Sequence, residues 1–218
     1  MMNLIFDFDG TLVDSFDAAI KVLNILALDF NFKQPGVVQK EDLKAIEAKS
    51  LLKILGIPMY KMPFILRQAK RLMQREMVYL KPFPGIPEVV QSLHASGFCL
   101  GIVTSNSEEN VRAWLHQHEI LTCFHFIHSA PQYFGKERVL SKSIKKYQLD
   151  KKTVCYIGDE TRDIEAAKRS GIASLAVTWG FNCEDIMQKY QPQYFARVPE
   201  DIVTIFSDST CGKPRSRR

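Results

Sequence analysis

The stretch Asn3-Leu4-Ile5-Phe6-Asp7-Phe8-Asp9-Gly10-Thr11-Leu12-Val13-Asp14-Ser15 runs from apolar residues into two carboxylates two positions apart, followed at once by Gly-Thr. Residues 4–8 read as a buried strand. In an extended chain, residues i and i+2 project to the same side. Asp7 and Asp9 are therefore expected to converge at the strand's end, with Phe6 and Phe8 facing elsewhere. Two adjacent carboxylates repel unless a proton or a cation relieves them. Such a pair at the mouth of a buried strand holds a metal or performs chemistry. The plainer alternative is a solvated turn after an edge strand.

Working outward, three further apolar runs rich in β-branched residues read as buried parallel strands, at 98–104, 154–157 and 174–177. Weaker candidates lie at 124–128 and 193–196. Helical patterns fall between them at 86–96, 108–118, 136–147 and 162–170, and Gly97 and Gly171 stand where C-caps are expected. Strand and helix alternating in this way predict an α/β fold, a doubly wound parallel sheet of Rossmann-like character. In such sheets the ligand crevice lies beyond the carboxyl ends of the strands.

Residues 16–80 break the rhythm. They hold three helix-like stretches, 18–30, 40–55 and 64–78, separated by Gln34-Pro35-Gly36, Gly56-Ile57-Pro58 and Met62-Pro63. Lys81-Pro82-Phe83-Pro84-Gly85 then restores the alternation. The expected division is an α/β core at 1–15 and 81–210, a small all-α unit at 16–80 inserted after the first strand, and a basic tail at 211–218. The junctions near residues 15 and 81–85 are expected hinges. The alternative is that these helices simply pack on the sheet.

Composition narrows the class. At 218 residues, 46% hydrophobic and 24% charged, the chain is long enough for one sizeable core. No run approaches the roughly 20 apolar residues of a membrane-spanning helix, and no secretory signal is legible, so no membrane partner and a cytoplasmic location are expected. The net charge of +5 sits largely in the tail, where Lys213, Arg215, Arg217 and Arg218 meet no acid. The body is thus nearly neutral, no nucleic-acid partner is expected, and the tail reads as a solubilising, disordered end. The five scattered cysteines include no C-x-x-C pair and suit a reduced protein. A monomer and a homodimer are both compatible with 11% aromatic content.

Each strong strand ends in chemically useful residues. The first gives Asp7, Asp9, Gly10 and Thr11; the second gives Thr104-Ser105-Asn106; the third gives Gly158-Asp159-Glu160-Thr161-Arg162-Asp163. Gly135-Lys136 opens a helix between the last two. Taken singly, Ser105 or Asn106 is a helix N-cap, Asp159 or Asp163 a helix-dipole charge, and Lys136 a surface lysine. Taken together, they arrive at one edge of one sheet.

That set resembles the haloacid dehalogenase superfamily, specifically its phosphatases with a helical cap after the first strand. The opening pattern DxDGT[LV]xDS is matched by Asp7 to Ser15, the strand-ending Thr by Thr104, the lysine before a helix by Lys136, and GDxxxD by Gly158 to Asp163. Val177-Thr178-Trp179-Gly180-Phe181 is similar to a stretch of phosphoglycolate-phosphatase-like members. The resemblance implies a phosphatase acting on a small phosphorylated metabolite through an aspartyl-phosphate on Asp7. An anion approaching a phosphate needs positive charge, since two unit charges about 4 Å apart repel by roughly 4 kcal/mol at an effective dielectric near 20. Hard oxygen ligands without His or Cys suit Mg²⁺, held by the Asp7 side chain, the Asp9 backbone carbonyl and the Asp159 side chain. Asp163 would act indirectly, through a water or by orienting Lys136. Lys136 and the Thr104 hydroxyl would hold phosphate oxygens, helped by backbone N–H groups near Gly10, Thr11 and Ser105. Asp9 would serve as acid and then base.

The implied alternatives are a phosphomutase of the β-phosphoglucomutase type, which shares these motifs, and a non-catalytic binding protein on the same scaffold. The inserted helices offer Lys49, Lys53, Lys61 and Arg67 as partners for a substrate carboxylate, or as solvated faces. The stretch 54–63 departs from phosphoglycolate phosphatase caps, which puts that substrate in question.

Overall fold

The computed structural model describes residues 2–37, 39–130 and 135–210. The expected basic tail at 211–218 lies outside the described residues. Six strands, β1 (Asn3–Phe6), β2 (Cys99–Thr104), β3 (Phe124–Ser129), β4 (Val154–Gly158), β5 (Ala173–Val177) and β6 (Tyr194–Ala196), form one sheet in the order β3-β2-β1-β4-β5-β6. Every pairing is parallel. The doubly wound α/β fold is therefore present. Because β1 is flanked by β2 on one side and β4 on the other, the direction of winding reverses at β1, and the crevice opens beyond its carboxyl end.

Strand alternation sorts the core into two layers. Leu4, Phe6, Leu100 and Ile102 face one cluster, together with Val89 and Val90 of α5 (Ile86–Ala95) and Trp114 of α6 (Glu108–Gln117). Ile5, Val103 and Tyr156 face the other, with Leu140 of α7 (Lys136–Lys146) and Ala167 of α8 (Thr161–Ser170).

Between β1 and α5 the regular elements among the described residues are helices. Here lie α1 (Phe16–Phe30), α2 (Lys40–Lys44), α3 (Ala48–Ile54) and α4 (Met62–Glu76). They bury their own cluster around Val22, Leu26, Leu55, Ile57, Met62 and Ile65. The two connections to the sheet run side by side. The Asp14 N–H donates to the Lys81 carbonyl at 3.0 Å, and the Phe83 N–H donates to the Leu12 carbonyl at 3.1 Å.

Three local expectations are corrected. The single helix expected at 40–55 is two, α2 and α3. The carbonyls of Lys44 and Ile46 at the break turn outward to accept from Cys183 N–H and the Asn182 amide. Two helices were not expected, α9 (Glu184–Gln188) and α10 (Glu200–Thr210), the latter packing Ile202 and Phe206 into the first core layer. Finally, β1 stops at Phe6. The Phe8 carbonyl accepts from the Thr11, Leu12 and Val13 N–H groups, and Gly10 takes φ +79°, a left-handed conformation open to glycine. Phe6 and Phe8 nonetheless share one core layer with Leu4, as alternation expects of residues two apart.

Candidate active site

The site forms where β1, β2 and β4 end. Asp7, buried, is held by its N–H donating to the Ile157 carbonyl at 2.8 Å. Its Oδ2 accepts from Lys136 Nζ at 2.7 Å, and the same ammonium donates to Asp163 Oδ1 at 2.5 Å. Lys136 reaches inward because it is the first residue of α7, directly after Gly135, which turns at φ +107°. Asp163 Oδ2 accepts the Glu160 N–H at 3.0 Å and closes a capping box at the start of α8. Asp7, Asp159 and Asp163 bring carboxylate oxygens within 4.8 Å of one another, all three side chains buried.

Asp159 is enclosed from two directions. Its Oδ1 accepts from the Thr11 hydroxyl at 2.7 Å, and its Oδ2 accepts from the Phe181 N–H at 2.8 Å. Gly180 permits this approach, since a Cβ there would stand 2.3 Å from both Asp159 Oδ2 and the Gly10 carbonyl oxygen. Trp179 fixes the same loop by donating its indole N–H to the Thr11 carbonyl at 3.0 Å.

Asp9 takes partners different from those of Asp7. Its Oδ2 accepts from the Asn106 amide at 3.1 Å, while its Oδ1 is buried and makes no hydrogen bond of normal geometry among the described residues. Thr104, buried at the end of β2, accepts the Asn106 N–H on its hydroxyl at 3.1 Å. Ser105 lines the adjoining cavities. The Gly10 and Thr11 N–H groups, expected to face a phosphate, instead donate within the turn, to the Val13 and Phe8 carbonyls. The tight turn after β1 claims them.

The electrostatics follow from crowding acids in a dry site. Burial raises Asp7 to about 7, against the pull of Lys136 and with a further push from Asp163. Burial likewise raises Asp9, with the Asn106 hydrogen bond and the Ser15 hydroxyl only partly offsetting it. Asp159 is pushed well above the carboxylate range by burial and by the neighbouring Glu160, Asp163 and Asp7. Burial works against the Lys136 ammonium, but Asp163 and Asp7 outweigh it and raise its pKa. Asp7 and Asp159, buried beside other acids and raised by that burial, make with Asp163 a cluster of hard oxygen donors suited to a hard cation.

Asn106, Phe181 and Arg162 were not among the expected site residues. Arg162 pairs with Glu160 and its charge reaches Asp7. The GDxxxD spacing hinted at Arg162, and the 177–181 pattern at Phe181; nothing in the sequence tied Asn106 to Asp9.

Comparison with known proteins converges on one family. The sequence model of haloacid dehalogenase-like hydrolases matches residues 4–177. The chain is 30% identical over 203 residues to a phosphoglycolate phosphatase of Synechococcus elongatus, covering 93% of this chain and 96% of that protein. It is 26% identical over 215 residues to a phosphoglycolate phosphatase of Aquifex aeolicus, covering 95% and 98%. Among solved structures, a predicted phosphatase from Clostridium acetobutylicum shares the fold at a TM-score of 0.82 and 19% identity, covering 95% of this chain and 99% of that one.

Proposed function

Because the chain belongs to the haloacid dehalogenase-like hydrolase family, we propose that it is a Mg²⁺-dependent phosphatase that hydrolyses a small phosphorylated metabolite through an aspartyl-phosphate on Asp7. The observation that carries this reading is the separation of the two acids. Asp7 lies against Lys136 among the buried carboxylates, whereas Asp9 is turned to Asn106 with one oxygen unpartnered.

Asp7, Asp159 and the Asp9 backbone carbonyl would hold Mg²⁺, which when bound supplies positive charge at the phosphoryl oxygens. Asp163 positions Lys136, and Lys136, the Thr104 hydroxyl and Ser105 bind the phosphate. An Asp7 carboxylate oxygen attacks phosphorus; the P–O bond to the alcohol breaks, and the Asp9 carboxyl delivers its proton to the departing oxygen. Asp9, now ionised, takes a proton from a water that attacks the same phosphorus. The acyl-phosphate bond breaks, freeing inorganic phosphate and the Asp7 carboxylate. Residues 1–15 and 81–210 form the catalytic unit in this reading, and 16–80 the cap that excludes water. The free thiols of Cys99, Cys123, Cys155 and Cys183 suit the cytoplasm, and among the described residues no helix is long and apolar enough to cross a membrane.

The test is phosphate release from a panel of phosphorylated metabolites, with Mg²⁺ and with EDTA. Turnover that EDTA abolishes is the expected result. Release unaffected by EDTA would remove the metal from the proposal. A hexose 1-phosphate isomerised without free phosphate would make the protein a mutase.

A further inference from the structure

A cavity of about 250 Å³ joins Asp9 to the helical unit. Its floor is polar and belongs to the candidate site, with Asp9, Ser15, Ser105 and Asn106. Its walls are different. Leu23 of α1, Leu51 and Leu52 of α3, and Leu66, Ala69 and Met73 of α4 all line it, and each is only partly buried. Among the described residues the lining cations are Lys70, exposed on α4, and Arg162, whose Nη2 pairs with Glu160 and whose buried Nε, beside the polar floor, has no hydrogen-bond partner among the described residues. Of the cations expected to meet a substrate carboxylate, Lys61 instead donates to the Phe30 carbonyl at 2.9 Å, Lys53 and Arg67 are exposed and absent from these walls, and the Lys49 side chain lies outside the described residues.

A phosphomonoester seated with phosphorus at Asp7 and its ester oxygen at Asp9 extends the rest of its alcohol into this space. A carboxylate or a sugar there would shed water against leucines and a methionine with few groups to replace it. Alkyl or aryl carbon would lose only unfavourable hydration. On the phosphatase reading given above, we propose that the preferred substrate class is the phosphate ester of an apolar alcohol, rather than phosphoglycolate or a sugar phosphate. The space equals that of about eight waters at roughly 30 Å³ each, which suits an alcohol of about four to eight carbons.

The test compares n-alkylphosphonates, from ethyl to hexyl, with phosphonoacetate. None is hydrolysed, so binding to the full chain in Mg²⁺ can be measured by calorimetry whether or not the protein turns over. Affinity is expected to rise about fourfold per methylene, equivalent to about 0.8 kcal/mol of apolar burial, with phosphonoacetate weaker than butylphosphonate. The matching alkyl phosphates should show the same trend in kcat/KM. Ala69→Phe, which fills part of the cavity, should erase the hexyl advantage over ethyl, with melting temperature reported beside it. A flat series, tighter binding of phosphonoacetate, or an unchanged hexyl preference in the variant would each overturn the proposal. Rising affinity without hydrolysis of any ester would support the pocket and refute the phosphatase reading. Hydrolysis confined to phosphoglycolate with a flat alkyl series would do the reverse.

Discussion

The Asn106 amide donates to Asp9 Oδ2 at 3.1 Å, joining the second residue after β2 to the second acid of the opening motif. Asn106 is itself fixed, since its Oδ1 accepts from the Ser107 N–H and the Asn110 amide. A donor to the ionised form lowers a carboxyl's pKa, so this contact opposes the rise that burial imposes on Asp9. Asn106→Ala should let the Asp9 pKa climb further, moving the alkaline limb of kcat to higher pH. A pH–rate profile reads this directly, and an unmoved limb would separate Asn106 from the titration of Asp9.

The two acids should fail differently. Asp7→Asn removes the attacking oxygen and is expected to lower kcat by on the order of 10³ or more for every substrate, with the melting temperature retained. Asp9→Asn removes a proton donor, worth about 10²–10⁴. That loss should shrink sharply for 4-nitrophenyl phosphate, whose leaving group departs without a proton. Equal losses on alkyl and nitrophenyl esters would deny Asp9 its acid role.

Gly180 is required for space rather than for conformation, because a Cβ there would lie 2.3 Å from Asp159 Oδ2 and from the Gly10 carbonyl oxygen. Gly180→Ala should cost about 1–3 kcal/mol of stability through overpacking. Displacing Asp159 should also weaken Mg²⁺ binding by about 10–100-fold, as loss of support around a ligand does. Thermal melts and a Mg²⁺ titration measure the two effects separately.

Stability without metal should depend on pH in an unusual direction. Asp7 moves from an ordinary 3.8 to about 7 in the fold, and Asp9 and Asp159 move the same way. Between those two Asp7 values the folded chain holds a proton that the unfolded chain releases. The stabilising contribution is therefore fullest at low pH and is lost as pH rises through about 7. In EDTA the melting temperature should increase as pH falls from about 8 to about 5. Added Mg²⁺, favouring the ionised carboxylates, should raise it more at pH 8 than at pH 5. A melting temperature in EDTA that falls over that interval would contradict the buried-acid account.

Much of the fold was legible because its signals are local. β-branched apolar runs alternating with helical periodicity can be satisfied by a covered parallel sheet, and each of the six strand candidates overlaps an observed strand. What sequence reasoning misplaced depended on contacts from far along the chain. The break between α2 and α3 exists because Asn182 and Cys183 meet the carbonyls of Lys44 and Ile46. The short helix α9 carries too few residues for its periodicity to register.

The sequence by itself determined which chemistry was available: four carboxylates, a lysine and a threonine at strand ends that a doubly wound sheet must bring to one edge. Only the tertiary structure decided how those groups divide. A turn closed by hydrogen bonds to the Phe8 carbonyl follows β1, and Asp7 and Asp9 find different partners, Lys136 and Asn106. The lining of the cavity was likewise beyond the sequence. Helical periodicity marks a face as apolar, but whether that face fills a core or borders an open space depends on how far apart the helices stand.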